Sequence, residues 1–473
     1  MDKKFFFMTF CLAVALLIYF SLVAPRYSRH SRVLTLSNNK IALEFSSMTF
    51  NLLRIKDVST GRSYEFANSS LWKITFLDVR RARSGQLGRD LFRYMLSDDL
   101  SLDREYRLRE SPNGTTLEMS WTVEGYARIY VRIELPKGSE ISTWSMSIEN
   151  RGEAAIWSVE FPYIRMEPIR GDKEGTILAI PLHSGVLVRD PMDNIHWEVQ
   201  PWEEIQHDQD KGDVDRKGAY PGGYNAQFAA VYSSEGDGIY IASYDGEMYS
   251  KRFLFCGNGE TLLITIRNYP DRMLTPGVDY TIPYPLVVGV FHGDWMNAAD
   301  IYREWAVQQE WCKKGPMYKR DDLSRAMYNT DVTTIAAYRL TLDSPNHYEE
   351  IKEDLLNMKA FFDTYSSVNG SSPSIGVHWI GWSKHLDVIG EQGAPNYFPV
   401  QENFSRLIDE LHSVGGFYCD VYLGTGVFDS ANPVWQDDEY TWEEARPYAC
   451  YNPLNQTYKK FKPTYAWMDP SQE

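Results

Sequence analysis

From Val33 to about Val288, apolar and polar residues alternate with a period of two, and this pattern constrains the fold more than any other feature. Successive side chains of a strand point to opposite faces, so dense alternation calls for sheets with one face in a core. The runs VLTLSNNKIALEF, LWKITFLDV, TTLEMSWTV, ARIYVRIEL and STWSMSIEN show it. Turn signals at Asn38-Asn39, Thr60-Gly61, Asn113-Gly114 and Pro136-Lys137-Gly138 separate them. A large antiparallel β-sandwich over residues 33–288 is the expectation. The stretch Trp202 to Gly222 departs from the pattern: it contains EEIQHDQDKGDVD between Pro201 and Pro221. It reads as a solvated acidic loop, or as one reaching over a neighbouring domain's site.

Between Gly293 and Gly315 the period becomes helical, with Trp295, Ala298, Ile301, Tyr302 and Trp305 on one broad face and Trp311 off it. Core packing is the role this spacing suggests for the tryptophans, and residues 289–331 form a linker helix region. From Val332 the chain turns to β/α units. The expected elements are a strand over Thr334–Leu342, a helix over Tyr348–Tyr365, a strand from Ile375, a helix over Asn403–Val414 and a strand from about residue 416. Phe404, Leu407, Ile408 and Leu411 share one face of the second helix, and Gly415-Gly416 stops it. Strand, helix and strand at this spacing make a parallel pair with a right-handed crossover. A fourth strand-like run, Thr464 to Asp469, follows.

Polar and aromatic residues gather where these strands hand over to loops: His378, Trp379, Trp382, Asp387, Asp420, Tyr422 and Asp429. The carboxyl ends of strands form the working face of parallel α/β folds. Aromatic platforms with carboxylates suit a sugar, which has apolar C–H faces and hydroxyls that need acceptors. Taken singly, each tryptophan reads equally as core and each aspartate as a cap; their concentration at strand ends favours a site.

The segments HWIGWSKHLD (378–387), NYFP (396–399), LIDELHSVGG (407–416) and Gly424-Thr425-Gly426 resemble a family of glycoside-hydrolase type, domain of unknown function 6259. Tyr220-Pro221-Gly222, DGIYIASYDGE (237–247) and GDWMNAADIYREWAVQQEW (293–311) extend the resemblance to roughly residues 33–473. The family is similar in layout to α-galactosidases and endo-α-N-acetylgalactosaminidases. The resemblance implies a multidomain chain, β then α/β: a large antiparallel β-sandwich followed by a (β/α)8-type barrel over residues 332–473. Only the first three or four barrel strands are expected within this sequence, so the barrel is either continued in a longer protein or completed by a partner.

Hydrolysis of a glycoside ordinarily needs two carboxyl groups, about 5–5.5 Å apart for retention or about 6.5–9.5 Å for inversion. In the enzymes this layout resembles, the nucleophile ends barrel strand four and the acid ends strand six. If Thr334–Leu342 is strand one, Asp469 ends strand four and is the candidate nucleophile. If strand one begins at Ile375, Asp469 ends strand three. Under either count the acid is not among these residues, and the chain alone is expected to bind sugar without hydrolysing it. A membrane-anchored carbohydrate-binding or structural module that never catalyses is the alternative.

A formal net charge of −16 argues against nucleic acid or an anionic membrane surface as ligand. The five cysteines, Cys11, Cys256, Cys312, Cys419 and Cys450, show no C-x-x-C spacing, so no zinc site is expected. No G-x-S-x-G, Walker or H-E-x-x-H motif and no histidine constellation is present, so neither metal nor cofactor is expected. Residues 1–32 read as a targeting segment: Lys3 and Lys4 precede an apolar run from Phe5 to Ala24, and Arg26, Arg29 and Arg32 follow. Leu22 stands where a cleavage site wants a small residue, which favours an uncleaved signal anchor over a cleaved signal of a secreted protein. Sequons at Asn68, Asn113, Asn369, Asn403 and Asn455 fit an exported, membrane-anchored placement.

Overall fold

Where the sequence alternates, strands form and pair antiparallel. The computed structural model describes residues 33–67, 70–84, 88–205, 218–324, 328–336, 347–369, 372–380, 382–383, 400–401, 403–423, 427–429, 442–448, 451–452, 457–458, 460–462 and 465–467. Gly114–Val123, Ala127–Pro136 and Ile141–Asn150 pair in sequence, with every second residue buried in the central strand: Ala127, Ile129, Val131, Ile133 and Leu135. These three lie in a ten-stranded sheet. Its path runs through Val186–Arg189, Thr176–Ile180, Phe228–Ser233, Asp237–Ser243 and Leu286–His292 to Ile141–Asn150, then out to Asp103–Ser111, with Tyr280–Thr281 alongside Ile141–Asn150. A seven-stranded sheet is built around Lys251–Gly257, Leu262–Asn268 and Ala155–Met166, and a four-stranded one around Ile41–Ser46.

One apolar cluster draws on all three sheets, with Phe45, Trp121, Trp144 and Phe161 among its buried members. Trp72 and Trp121 meet edge to face with centroids 5.5 Å apart, the arrangement ring quadrupoles favour. Phe228–Ser233 and Asp237–Ser243 are buried on both faces. Ala229, Val231, Ile239 and Ile241 face the main cluster. Ala230, Tyr232, Tyr240 and Ala242 face outward, where the linker helix Trp295–Ala306 covers them with Ala298, Ile301 and Tyr302.

That helix starts with a capping box: Asp294 accepts from the Met296 amide at 2.8 Å, and the Asp294 amide donates to Asn297 Oδ1 at 3.0 Å. Gly293, at φ +100°, has no room for a Cβ, which would lie 1.9 Å from Asn297 Oδ1. Trp305 stacks on Tyr244 with centroids 4.8 Å apart. Trp295 is not the core residue its spacing suggests: at the first turn of the helix it remains 45% exposed.

After the linker, Val332–Ala336, Ile375–Trp379 and Phe417–Val421 form a three-stranded parallel sheet in that order. The helices His347–Asn369 and Phe404–Val414 make the crossovers. Phe404, Leu407 and Leu411 pack with Ile351, Leu355, Ile375, Val377 and Phe417 in a cluster separate from the sandwich core. Gly415 and Gly416, both at positive φ, end the second helix.

The fourth run does not join this sheet. Tyr465–Trp467 pairs antiparallel with Val427–Asp429 and with Lys460–Lys462. Among the described residues the parallel part of the chain is therefore a three-stranded sheet. Residues 1–32 lie outside the described residues, and among the described residues no helix is long and apolar enough to cross a membrane.

Candidate functional site

The parallel sheet has one face against its helices and one face open. Parity decides which residue goes where, because side chains alternate along a strand. Ile375, Val377 and Trp379 are buried against the helices. Gly376 and His378 belong to the other face, and pairing sets Thr333, Gly376 and Tyr418 in one row and Ile335, His378 and Asp420 in the next. Gly376 is tightly placed: a Cβ there would come within 2.7 Å of Thr330 Cγ2.

His378 Nδ1 and Asp420 Oδ2 are in hydrogen-bond contact across neighbouring strands. The pair is open to solvent, with the Asp420 side chain 66% exposed and that of His378 29%. The His378 ring meets Tyr422 edge to face, centroids 5.9 Å apart. Beyond the strand ends, the Tyr422 amide donates to the Trp379 carbonyl at 2.8 Å and Trp382 Nε1 donates to the Tyr422 carbonyl at 2.8 Å. These bonds fix Tyr422 beside His378.

Trp379 and Trp382 do not form exposed platforms. Their relative exposures are 0% and 4%, and both pack on Phe404. Their part is to brace the strand ends. Burial raises the Cys419 thiol, which faces Trp379, so it is a poor nucleophile candidate. Asp429 stands on Val427–Asp429, paired with Tyr465 outside the parallel sheet. Asp387 and Asp469 lie outside the described residues. The structure thus brings together His378, Asp420 and Tyr422, with Trp379 and Trp382 behind them. Ile335, 62% exposed in the same row as His378, was not singled out in the sequence; the parallel register would have found it.

This arrangement offers a carboxylate with lone pairs left for hydroxyl donors. The His378 ring keeps Nε2 for a further hydrogen-bond partner.

Residues 280–471 match the sequence profile of the family described as "Domain of unknown function (DUF6259)". The resemblance read from the motifs is thereby shown for the DUF6259 region. A protein of Monosiga brevicollis that bears a provisional glycoside hydrolase name is 23% identical over 270 residues, covering 54% of this chain and 21% of that protein. The α-N-acetylgalactosaminidase NagBb of Bifidobacterium bifidum, in its GalNAc complex, superposes with a TM-score of 0.61 at 11% identity over 92% of this chain and 65% of that one. Its Gal-NHAc-DNJ complex gives the same TM-score and identity over 92% and 64%. At that identity the likeness is one of fold. The chain spans about a fifth of the Monosiga protein and just under two thirds of the bacterial enzyme.

Proposed function

We propose that the chain is a carbohydrate-binding part of a glycoside-hydrolase-like protein, and that its three parallel strands belong to a (β/α)8-type barrel whose inner face receives the sugar. The observation that carries this reading is the His378–Asp420 pair at the carboxyl ends of neighbouring parallel strands. Among the described residues, Asp420 meets a histidine on this face, not a second carboxylate at hydrolytic spacing. The pair therefore suits binding better than bond cleavage. Asp387, Asp429 and Asp469 are the further acidic candidates, with Asp469 as nucleophile only where an acid joins it. The apolar run Phe5 to Ala24 supports a membrane-anchored, exported placement.

N-acetylgalactosamine and galactose α-glycosides are the first probes, given the fold neighbours. Calorimetric titration of the full chain with p-nitrophenyl α-N-acetylgalactosaminide and α-galactoside should show binding without release of nitrophenol. Asp420→Asn removes a charged acceptor and should weaken binding by about 1.5–3 kcal/mol. As an exposed substitution it should change stability by no more than about 0.5 kcal/mol. Steady turnover by the chain alone overturns the binding-only reading. An affinity untouched by both Asp420→Asn and His378→Ala moves the site elsewhere.

A further inference from the structure

We infer that the sandwich carries a second glycan site, a groove across the outer face of its ten-stranded sheet that takes a neutral oligosaccharide. The groove crosses Asp103–Ser111, Gly114–Val123, Ala127–Pro136 and Ile141–Asn150 and has a volume of about 470 Å³. Small-molecule sites typically enclose about 300–1,000 Å³.

Register fixes its floor. Glu105, Ser120, Tyr130, Ser147 and Thr281 form one row across five strands. Arg107, Glu118, Arg132 and Ser145 form the next. These are the outward halves of alternating strands whose other halves, such as Met119, Val131 and Met146, are buried in the core. The floor thus carries hydroxyls and charges of both signs, with Tyr106, Met119, Val131 and Met146 completing the lining.

Its charge selects the ligand. Two glutamates face two arginines across the two rows, while the whole chain carries −16. Arg132 is engaged with Glu118 at 3.2 Å and with Glu134 at 2.5 Å, and Arg109 with Glu118 at 3.0 Å. A polyanion would meet Glu105, Glu118 and an Arg132 already paired with two carboxylates, and a hydrophobic peptide would meet the charges and hydroxyls of the two outward rows. A polyol finds donors and acceptors side by side, the mixture that recognises hydroxyls in either role.

Tyr130 supplies the platform. Its hydroxyl donates to Glu149 at 2.9 Å, and the Arg128 guanidinium stands 5.1 Å from the ring centroid. Arg128 is not among the groove's lining residues, so it backs the ring from outside. A ring held at both its hydroxyl and one face loses little freedom when a sugar packs on it.

Titration of the full chain with maltohexaose, cellohexaose and a linear galactohexaose, against a heparin-derived hexasaccharide, tests the site. At least one neutral probe should bind with a dissociation constant at or below about 1 mM. Its affinity should fall at least about tenfold in Tyr130→Ala and in Ser120→Trp, which fills the floor, each checked for an unshifted thermal melt. The same affinity should survive Asp420→Asn, which separates this groove from the strand-end site. No binding of a neutral probe at about 5 mM, binding of the acidic probe alone, or affinity unchanged in both groove variants would each overturn the inference.

Discussion

Glu160 shows what a buried charge demands of its surroundings. It is 2% exposed and sits 2.8 Å from Arg267 and 3.3 Å from Lys73. Arg267, 1% exposed, also reaches Glu204 at 2.9 Å. Glu204 in turn accepts from Tyr269 at 2.5 Å and from Trp157 at 3.1 Å. Burial pushes the Glu160 carboxyl up, but the attraction of Arg267 and Lys73 outweighs it and holds the group below its ordinary 4.5. A carboxyl lowered on folding contributes stability above its unfolded value, and that stability is lost as pH falls through the folded value. Glu160→Gln leaves two cations under-compensated in a dry environment and should cost about 3 kcal/mol at pH 7. Denaturant titrations of both proteins should show the gap narrowing as pH drops below about 4.5. A gap that is constant down to acid pH would mean that the ion pair contributes only shape.

At the scale of elements, the linker helix gives the cleanest test of local chemistry. Asp294→Ala removes the acceptor for the Met296 amide and half of the capping box, and should cost about 1 kcal/mol by chemical denaturation. An unchanged stability would mean that packing of Ala298, Ile301 and Tyr302 alone sets the helix start. Much of the architecture was legible in this way. Period two gave the sandwich strands, and the Phe404, Leu407 and Leu411 face with Gly415-Gly416 gave the helix Phe404–Val414 and its end. Direction was not legible: a short apolar run such as Thr464–Asp469 reads the same in parallel and antiparallel pairing, and Tyr465–Trp467 took the antiparallel partner Val427–Asp429. At the candidate site, His378, Asp420 and Tyr422 could be found from their place at strand ends. Trp379 was misread because position along a strand was weighed and parity was not; its parity with Ile375 and Val377 assigns it to the helix-covered face. The sandwich groove stayed hidden because its floor is polar, and in one dimension polar outward residues look like any solvated face.

Among the described residues the buried apolar clusters fall into two groups that share no residue, one in the sandwich and one in the parallel-sheet unit. The sandwich clusters draw on residues from Leu34 to Ala298, and the parallel-sheet cluster on residues from Ile351 to Phe417. Between them Trp311, Met317 and Tyr318 are exposed at 38%, 51% and 74%, so little apolar burial joins one core to the next along the chain. Cooperative unfolding follows shared burial, and cores without it melt as separate units. Differential scanning calorimetry of the full chain should therefore resolve two transitions, the smaller and earlier one from the three-stranded unit with its lesser core. Leu411→Ala, at a fully buried position in that unit, should cost about 2–5 kcal/mol and move only the smaller transition. Ile133→Ala in the sandwich should move only the larger, by a similar free energy. Ligands extend the same logic, since binding raises the transition of the unit that holds the site, by about 2.7 kcal/mol at a hundredfold excess over the dissociation constant. A sugar at His378 and Asp420 should raise the smaller transition, and one in the groove beside Tyr130 the larger. A single transition displaced by both substitutions would show the two cores to be one cooperative unit, with the linker helix and its flanking segment transmitting the coupling.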